Sequence, residues 1–569
     1  MLKPLIATRS VLKNKFQFQP LQNSKNQLIQ KLYGRHQAKR FFDFCDTHSI
    51  EQFLSYYKTY SKVKHKVSAL HFGRIPQEKS LLVLANHSTG IPDGLLILDT
   101  LLKKRKDVKI LLDHSTYPSR SLQPFTIGVH LDNTPNAISK NAIALKQALK
   151  WLEDGHCLVL FSNSEVLLNK KLYKSDKESF WHPSAKKIIQ KHKGFILPWA
   201  IRGKNSPLFY FLSNINPKFR QNLIPRESLR RRFRPIESAI GKPFKASEDH
   251  SFIDLELKIR LMSKRQFGFE FHQLGKFPIQ SKFKTIANEI DASKIQSEIN
   301  SLGSPIVVKG QNEVYLSPPK SSPNILLEIG RLREITFREV GEGSGLDRDL
   351  DEHDEVFYHL VLWDSSESKI VGAYRLGIGP DLQALPDYRH IIYDYYIKNA
   401  EVEKVINKSI ILGRAFVRPE YQQKPFPLFL LWNGILAFVE QRNDINYLIG
   451  QTSLSNSYQS YSKLLITEFL WKHFSDKSLR DFFVPIHPFK AKRNSLIQQW
   501  ISLSKPEDIK RMDKIIECIE PSGVKTPMLF KRYIEQRAKC IGINVDPDFQ
   551  NSIDILMLTD LSELSRVKS

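Results

Sequence analysis

In the segment Asn86-His87-Ser88-Thr89-Gly90-Ile91-Pro92-Asp93-Gly94 a histidine and a carboxylate stand close together, with five residues between them. An imidazole near neutral pKa can take the proton of a hydroxyl as that hydroxyl attacks an acyl carbonyl. A carboxylate beside it can fix the tautomer and steady the imidazolium that forms. His87 and Asp93 therefore suit acyl transfer from a thioester to an alcohol, with His87 as general base. A plainer account also fits the same residues, in which Asn86-His87 caps a turn and Asp93 simply opens a helix.

The flanking residues say how such a pair would be held. Leu81 to Ala85 is an uninterrupted apolar run, the pattern of a strand buried on both faces, and Gly90 and Pro92 then turn the chain. Pro92 fits the first turn of a helix, whose apolar side continues through Leu95, Leu96, Leu98, Leu101 and Leu102. His87 is thus expected at the carboxyl end of a strand. Val108 to Leu112, Thr126 to Asp132, Cys157 to Phe161 and Phe195 to Ile201 read as further strands. Ala142, Leu145, Leu149 and Leu152 recur at helical spacing before the stop Asp154-Gly155. The fold class expected is α/β.

The His87 segment resembles the glycerolipid acyltransferase family, whose signature is Asn-His followed by an aspartate, usually with four residues between His and Asp. The variant Asn-His-x-x-Gly-Ile-Pro-Asp-Gly resembles the branch that O-acylates lyso-aminolipids, which implies catalytic roles for His87 and Asp93 and a binding role for Asn86. In that family the strand matching Cys157 to Phe161 ends in Phe-Pro-Glu-Gly-Thr-Arg, whereas here it ends Phe161-Ser162-Asn163-Ser164-Glu165. Without that glycine and arginine a phosphate-bearing acceptor is less expected. Ser162, Asn163 and Ser164 would instead hydrogen-bond a neutral acyl amide, or form a plain loop. Phe195 to Ile201 and Ile240-Gly241-Lys242-Pro243-Phe244 resemble the family's closing strands, so the likeness covers roughly residues 70–245.

A polar helical stretch, Asp291 to Leu302 before Gly303, reads as a joint. Beyond it Ile306 to Val308 and Val314 to Leu316 look like a hairpin, and Ile325 to Arg333 opens a helix. That helix, then Phe337-Arg338-Glu339 and a loop with Asp347, Asp349, Asp351 and Asp354, resembles acyl-carrier-protein-dependent N-acyltransferases, GNAT-like relatives of the autoinducer synthases. The resemblance continues through Val371 to Leu376, Leu412 to Val417, Gly450 to Tyr458, Pro527 to Tyr533 and Val545 to Phe549. As a whole the chain resembles the bifunctional ornithine lipid synthases, a glycerolipid acyltransferase-like domain fused to a GNAT-like one.

The resemblance implies N-acylation of an amino acid with a 3-hydroxyacyl group and then O-acylation of that hydroxyl in the resulting lyso-aminolipid. Ornithine, glycine and serine are all open as the amino acid. An α-ammonium with pKa about 8 must lose a proton before it attacks. Glu339 and the acids Asp349, Asp351 and Asp354 are implied to attract or deprotonate it. Arg331, Arg333, Arg375 and Arg414 are implied to pair its carboxylate or a phosphopantetheine. The position before Leu412-Gly413-Arg414, often glutamate in the family, is Ile411, which leaves the base unassigned. Pro419 to Pro425 stands where a coenzyme-A-using domain carries glycines, so acyl-acyl carrier protein is the co-substrate expected, with no bound cofactor and no metal.

With 569 residues, domains are expected at 1–70 (a helical segment), 71–282 (O-acyltransferase) and 283–569 (N-acyltransferase). No run reaches the roughly 20 apolar residues of a spanning helix and no secretory core is evident, so the expected location is cytoplasmic, peripheral on the inner membrane face. A formal charge of +26 calls for anionic partners, namely an acyl carrier protein and the anionic membrane surface. Nucleic acid, the remaining candidate, has no recognition motif to support it. The aromatic and basic stretch from Ala38 to His71 would lie on a bilayer or pack on the domain with a solvated basic face. Arg230, Arg231, Arg232 and Arg234, set among apolar residues, are expected to bind the bilayer. Cys45, Cys157, Cys518 and Cys540 have no metal spacing and read as reduced structural thiols. Two alternatives stand: a 1-acyl-glycerol-3-phosphate acyltransferase fused to an inactive or autoinducer-synthase-like domain, and a basic membrane-binding scaffold.

Overall fold

The computed structural model describes residues 37, 41, 43–44, 47–113, 120–130, 135–162, 181–215, 217–231, 234–248, 250–264, 283–339, 343–385, 388, 390–424, 426–547 and 551–565. The chain forms two compact units, residues 1–268 with 513–524 and residues 269–512 with 525–569. The boundary expected at 282/283 falls at the edge of a stretch outside the described residues, as do Asn163, Ser164, Arg232 and Cys45.

The first unit is built on one sheet of β1 (His65–Val67), β2 (Leu81–Ala85), β3 (Val108–Asp113), β4 (Thr126–Val129), β5 (Cys157–Phe161), β6 (Phe195–Arg202), β7 (Ile236–Ile240) and β8 (Phe244–Lys245). Their order is β1-β7-β6-β2-β5-β3-β4, with β8 against β6. The most apolar strand is central, as an unbroken run requires. β2 lies parallel to both β5 and β6, level at Ala85 with Phe161 and Trp199, and all five of its residues are buried.

Alternation along β2 then divides the core. Leu81, Val83 and Ala85 pack with the helices Ile50–Ser61 and Ile91–Leu102, while Leu82 and Leu84 pack with residues of Pro135–Glu153, Pro183–Lys191 and Phe252–Ser263. Phe41, Phe53 and Tyr57 are buried in the first of these clusters, so the described part of the aromatic N-terminal stretch is a helix packed on the domain. Ser49 starts that helix with a capping box to Gln52.

The second unit has its own sheet: β9 (Val307–Lys309), β10 (Asn312–Ser317), β11 (Tyr358–Asp364), β12 (Lys369–Ile378), β13 (Ser409–Val417), β14 (Tyr447–Leu454), β15 (Lys539–Asp546) and β16 (Ser552–Asp560). The order is β15-β16-β14-β13-β12-β11-β10-β9, antiparallel except that β13 and β14 run parallel. Their pairing ends early. It joins Ser409–Leu412 to Tyr447–Gly450, after which β13 stays with β12 as far as Val417 and β14 stays with β16 as far as Leu454.

A gap therefore opens between the strands after Leu412 and Gly450. Residues of the helix Pro427–Val439 cover one face of the sheet, with Leu360, Leu362, Ile410 and Leu412. The opposite face carries the helix Pro323–Glu339 over Val361 and Trp363, and residues 391–406 over Ile411, Ile449 and Leu556. Among the described residues no helix is long and apolar enough to cross a membrane. Cys157, Cys518 and Cys540 are free, buried thiols.

Candidate active sites

In the first unit β2 delivers His87 just past its carboxyl end, the edge at which open α/β sheets present their ligand sites. Gly90 makes the following turn with φ +98°, a conformation that favours glycine, and Pro92 begins the helix Ile91–Leu102. Asp93 lies three residues into this start and is fully buried, so its carboxylate caps the helix from inside. It accepts from the amides of Ser88 and Thr89, both at 2.8 Å, from the amide of Gly90 at 3.2 Å and from the Thr89 hydroxyl at 2.5 Å.

The same carboxylate faces His87, with Nδ1 3.2 Å from Asp93 Oδ2. Burial alone would raise the Asp93 pKa, but His87, the Thr89 hydroxyl and the amides outweigh it and hold the carboxyl below its ordinary value. Asp93 is thus both the helix-opening residue and the partner of the imidazole. Phe161, at the end of β5, lies against the His87 ring with centroids 4.8 Å apart.

Asn86 does not offer its amide to a ligand. Its Nδ2 donates to the Ile201 carbonyl at 2.9 Å and its Oδ1 accepts from the Ile201 amide at 2.6 Å, so the side chain ties the end of β2 to β6. The expected binding role is corrected to a positioning one. Ser162 is buried and its amide donates to the Ala85 carbonyl at 2.8 Å, which extends the β5 side of the same edge.

The basic cluster is also corrected in part. Arg231 is wholly buried: its amide donates to the Ser61 carbonyl, Nη1 donates to Asn205 Oδ1 at 2.8 Å, and Nε and Nη2 meet no hydrogen-bond partner among the described residues. Asn205 in turn reaches the Thr89 carbonyl at 3.4 Å, so Arg231 backs the loop that holds Asp93. A guanidinium in that place cannot meet a bilayer. Arg234 pairs with the buried Glu227, which also accepts from the amide and hydroxyl of Ser206, both at 2.7 Å. Arg230 is exposed.

In the second unit the residues singled out in the sequence converge on one face of the sheet, but largely upon one another. Arg333, from the helix Pro323–Glu339, donates to Asp354 at 2.8 Å, and Arg375 on β12 reaches Asp351 at 2.5 Å and Asp354 at 3.3 Å. Arg414, at positive φ on β13, stands 3.6 Å from Asp349 and 3.5 Å from Asp351. Burial opposes ionisation of Asp354, yet the two guanidinium groups beside it hold its pKa well below the carboxylate range. For Asp349 burial prevails and the pKa is raised. His359, pushed down to about 4 by burial and by Arg333, completes the network as a neutral ring.

Arg333 and Arg375 are therefore spoken for by acids, and Arg414 is the more accessible guanidinium, its side chain 24% exposed. Arg331 lies apart, donating to Glu328 at 2.8 and 2.6 Å. Glu339 ends its helix exposed to solvent. On the other face a small, mostly apolar pocket of about 50 Å³ is lined by Tyr374, Leu428, Phe429, Trp432, Leu529 and Tyr533, with Arg532 and Gln536 at its polar side. The Tyr533 hydroxyl packs so closely on Gly450 that a Cβ there would lie 1.7 Å from it.

One carboxylate escaped the sequence reading. Asp554 on β16 is buried, accepting from Gln451 Nε2 at 2.9 Å and Ser453 Oγ at 2.8 Å. The available signal was an ionisable residue inside the apolar run Ile553 to Leu558, which packing alone does not explain.

Residues 332–432 match the family model for the acetyltransferase (GNAT) domain. The chain is 32% identical over 239 residues to the glycine N(alpha)-acyltransferase of Bacteroides thetaiotaomicron, covering 40% of this chain and 70% of that protein. It is 30% identical over 239 residues to the glycine N(alpha)-acyltransferase of Phocaeicola vulgatus, covering 40% of this chain and 72% of that one. Among solved structures, the loading GNATL domain of CurA from Lyngbya majuscula aligns at 15% identity and a TM-score of 0.23, over 44% of this chain and 98% of that domain. The second unit thus carries a GNAT acyltransferase domain. The chain belongs to the family of the glycine N(alpha)-acyltransferases.

Proposed function

We propose that the chain builds a two-tailed aminolipid. The GNAT-bearing unit N-acylates a small amino acid, glycine in the first instance, with a 3-hydroxyacyl group, and the first unit esterifies that hydroxyl with a second acyl group. The observation that carries the second step is the His87–Asp93 pair at the carboxyl end of β2, with Nδ1 turned to the carboxylate at 3.2 Å and Nε2 left for a substrate hydroxyl. The glycine relatives favour glycine. A carrier-protein donor is favoured by the turn before the helix Pro427–Val439. Pro419 to Pro427 holds no glycine, and Pro427 removes one of the first-turn amides that would otherwise meet a pyrophosphate.

In this reading the acyl thioester enters by the gap between β13 and β14, its chain toward the apolar pocket. Arg414 pairs the amino acid's carboxylate from the opposite face. No phosphate is needed by the acceptor, and the anionic inner membrane leaflet supplies the surface on which product collects. The test is lipid extraction from a host expressing the chain, fed with isotope-labelled glycine. A phosphorus-free lipid carrying the label, one amide-linked chain and one ester-linked chain is expected. Accumulation of phosphatidate alone, with rescue of a strain lacking its own lysophosphatidate acyltransferase, would replace this reading with the glycerolipid one.

A further inference from the structure

The N-acylation step needs a base, and β13 carries no carboxylate anywhere between Ser409 and Val417. Asp554 stands two strands away, 3% exposed. Its donors Gln451 and Ser453 belong to the part of β14 just beyond Gly450, where β14 has parted from β13. Strand alternation puts Asp554 on the same face as Leu556 and Leu558, which pack with Ile411 and Ile449. That is also the face of the Arg414 network. A carboxylate thus lies behind the mouth of the gap, on the acceptor's side of the sheet.

We infer that Asp554 is the general base of N-acylation, taking a proton from the α-ammonium of the amino acid. The inference rests on the N-acyltransferase reading given above. In the step, one ammonium proton passes to the Asp554 carboxylate and the freed amine attacks the thioester carbonyl carbon. The C–N bond forms and the C–S bond breaks. The second amine proton leaves on the carrier's thiol, and Asp554 returns its own to water, so no further reactant is consumed.

Asp351 and Asp354 suit this role less well, because protonating a carboxylate in direct contact with guanidinium groups is unfavourable, and Asp349 also faces Arg414. The groups bonded to Asp554 are instead a neutral amide and neutral hydroxyls. The ionisable groups facing it are Asp546 on β15, Arg414 on β13, and the phenols Tyr395 and Tyr396. Burial and the Asp546 carboxylate outweigh Ser453, Ser552 and Arg414 and push its pKa up to about 7. A carboxylate raised in this way takes a proton from an ammonium more readily than an ordinary carboxylate does.

The test uses the full chain, an acyl-acyl carrier protein and two nucleophiles, glycine and aminooxyacetate, whose oxyamine nitrogen is already unprotonated at neutral pH. Asp554→Asn should lower kcat with glycine by about 10²–10⁴-fold while leaving the oxyamine reaction within a few fold. Ser453→Ala removes a donor to the carboxylate and should move the acidic limb of the kcat/KM profile to higher pH. Near-parent glycine acylation by a folded Asp554→Asn, or equal loss of both nucleophiles, would overturn the inference. If that variant does not fold, an unmoved limb in Ser453→Ala overturns it. A parent enzyme that acylates no amino acid would instead fail the proposed function, a separate outcome.

Discussion

Asp93 Oδ2 stands 3.2 Å from Nδ1 of His87 and is the same oxygen that caps the helix Ile91–Leu102, so the imidazole faces an atom the fold itself requires. Replacing His87 by Ala should stop ester formation and leave amide formation intact, because the amide is made in the other unit. The expected loss is about 10²–10⁴-fold in O-acylation rate, with mono-acylated product accumulating in extracts analysed by mass spectrometry. Unchanged di-acylated product would remove His87 from catalysis.

Arg230 and Arg231 should separate experimentally into surface and interior. Arg230→Gln should weaken co-sedimentation with anionic vesicles and leave the unfolding midpoint unchanged. Arg231→Gln should destabilise the first unit and slow O-acylation, since it removes the bond to Asn205 behind the Asp93 loop. Equal effects of both changes on vesicle binding would count against this division.

Acid should act on the second unit through Asp354. Its folded pKa is depressed by Arg333 and Arg375, so its contribution to stability is complete above the unfolded value of about 3.9 and is lost as pH falls toward the folded value. Asp354→Asn leaves Arg333 buried and unpaired, at an expected cost of about 3–5 kcal/mol. In urea titrations the parent should therefore lead the variant clearly at neutral pH, and the lead should shrink below about pH 4. A constant lead across that range would show that Asp354 does not titrate with folding.

Gly450 tests the junction of the two strands. A methyl group there would overlap the Tyr533 hydroxyl, so Gly450→Ala should displace that ring, cost about 1–3 kcal/mol and impair amide formation while ester formation persists. Thermal unfolding together with both acylation assays on one preparation would check it.

Much of this arrangement is legible in the amino-acid sequence. The run Leu81 to Ala85 could only be an interior strand, and Gly90 and Pro92 mark where the chain leaves it. The charged residues of the second half were legible as a group, but their mutual pairing was not, because Arg333, Asp354, Arg375 and Arg414 come from an α-helix, a short 3₁₀ helix and two strands. Only the three-dimensional fold shows that acids answer bases there. Arg231 misled for a related reason. A basic residue among apolar ones reads the same whether its side chain points out to lipid or in to Asn205. Asn86 hid in the same way, since an amide that clamps Ile201 and one that binds a ligand are spelled alike. Asp554 was overlooked because its donors stand on β14, about a hundred residues earlier in the chain.

The membership of residues 513–524 in the first unit sets a timetable for synthesis. Within that unit Glu517 pairs with Lys242 at 2.6 Å, Lys514 with Glu248 at 3.0 Å, and the Pro521 carbonyl accepts from Arg74 at 2.7 Å. A nascent chain that has passed residue 268 still lacks these partners. About 250 more residues must be made before the last of them emerges, which at roughly 5–20 residues per second is a wait of roughly 10–50 s. The unit begun first is the one finished late, and during that interval the surface later covered by Cys518 stays open to chaperones. A gene cut between the two sheets would make that wait permanent.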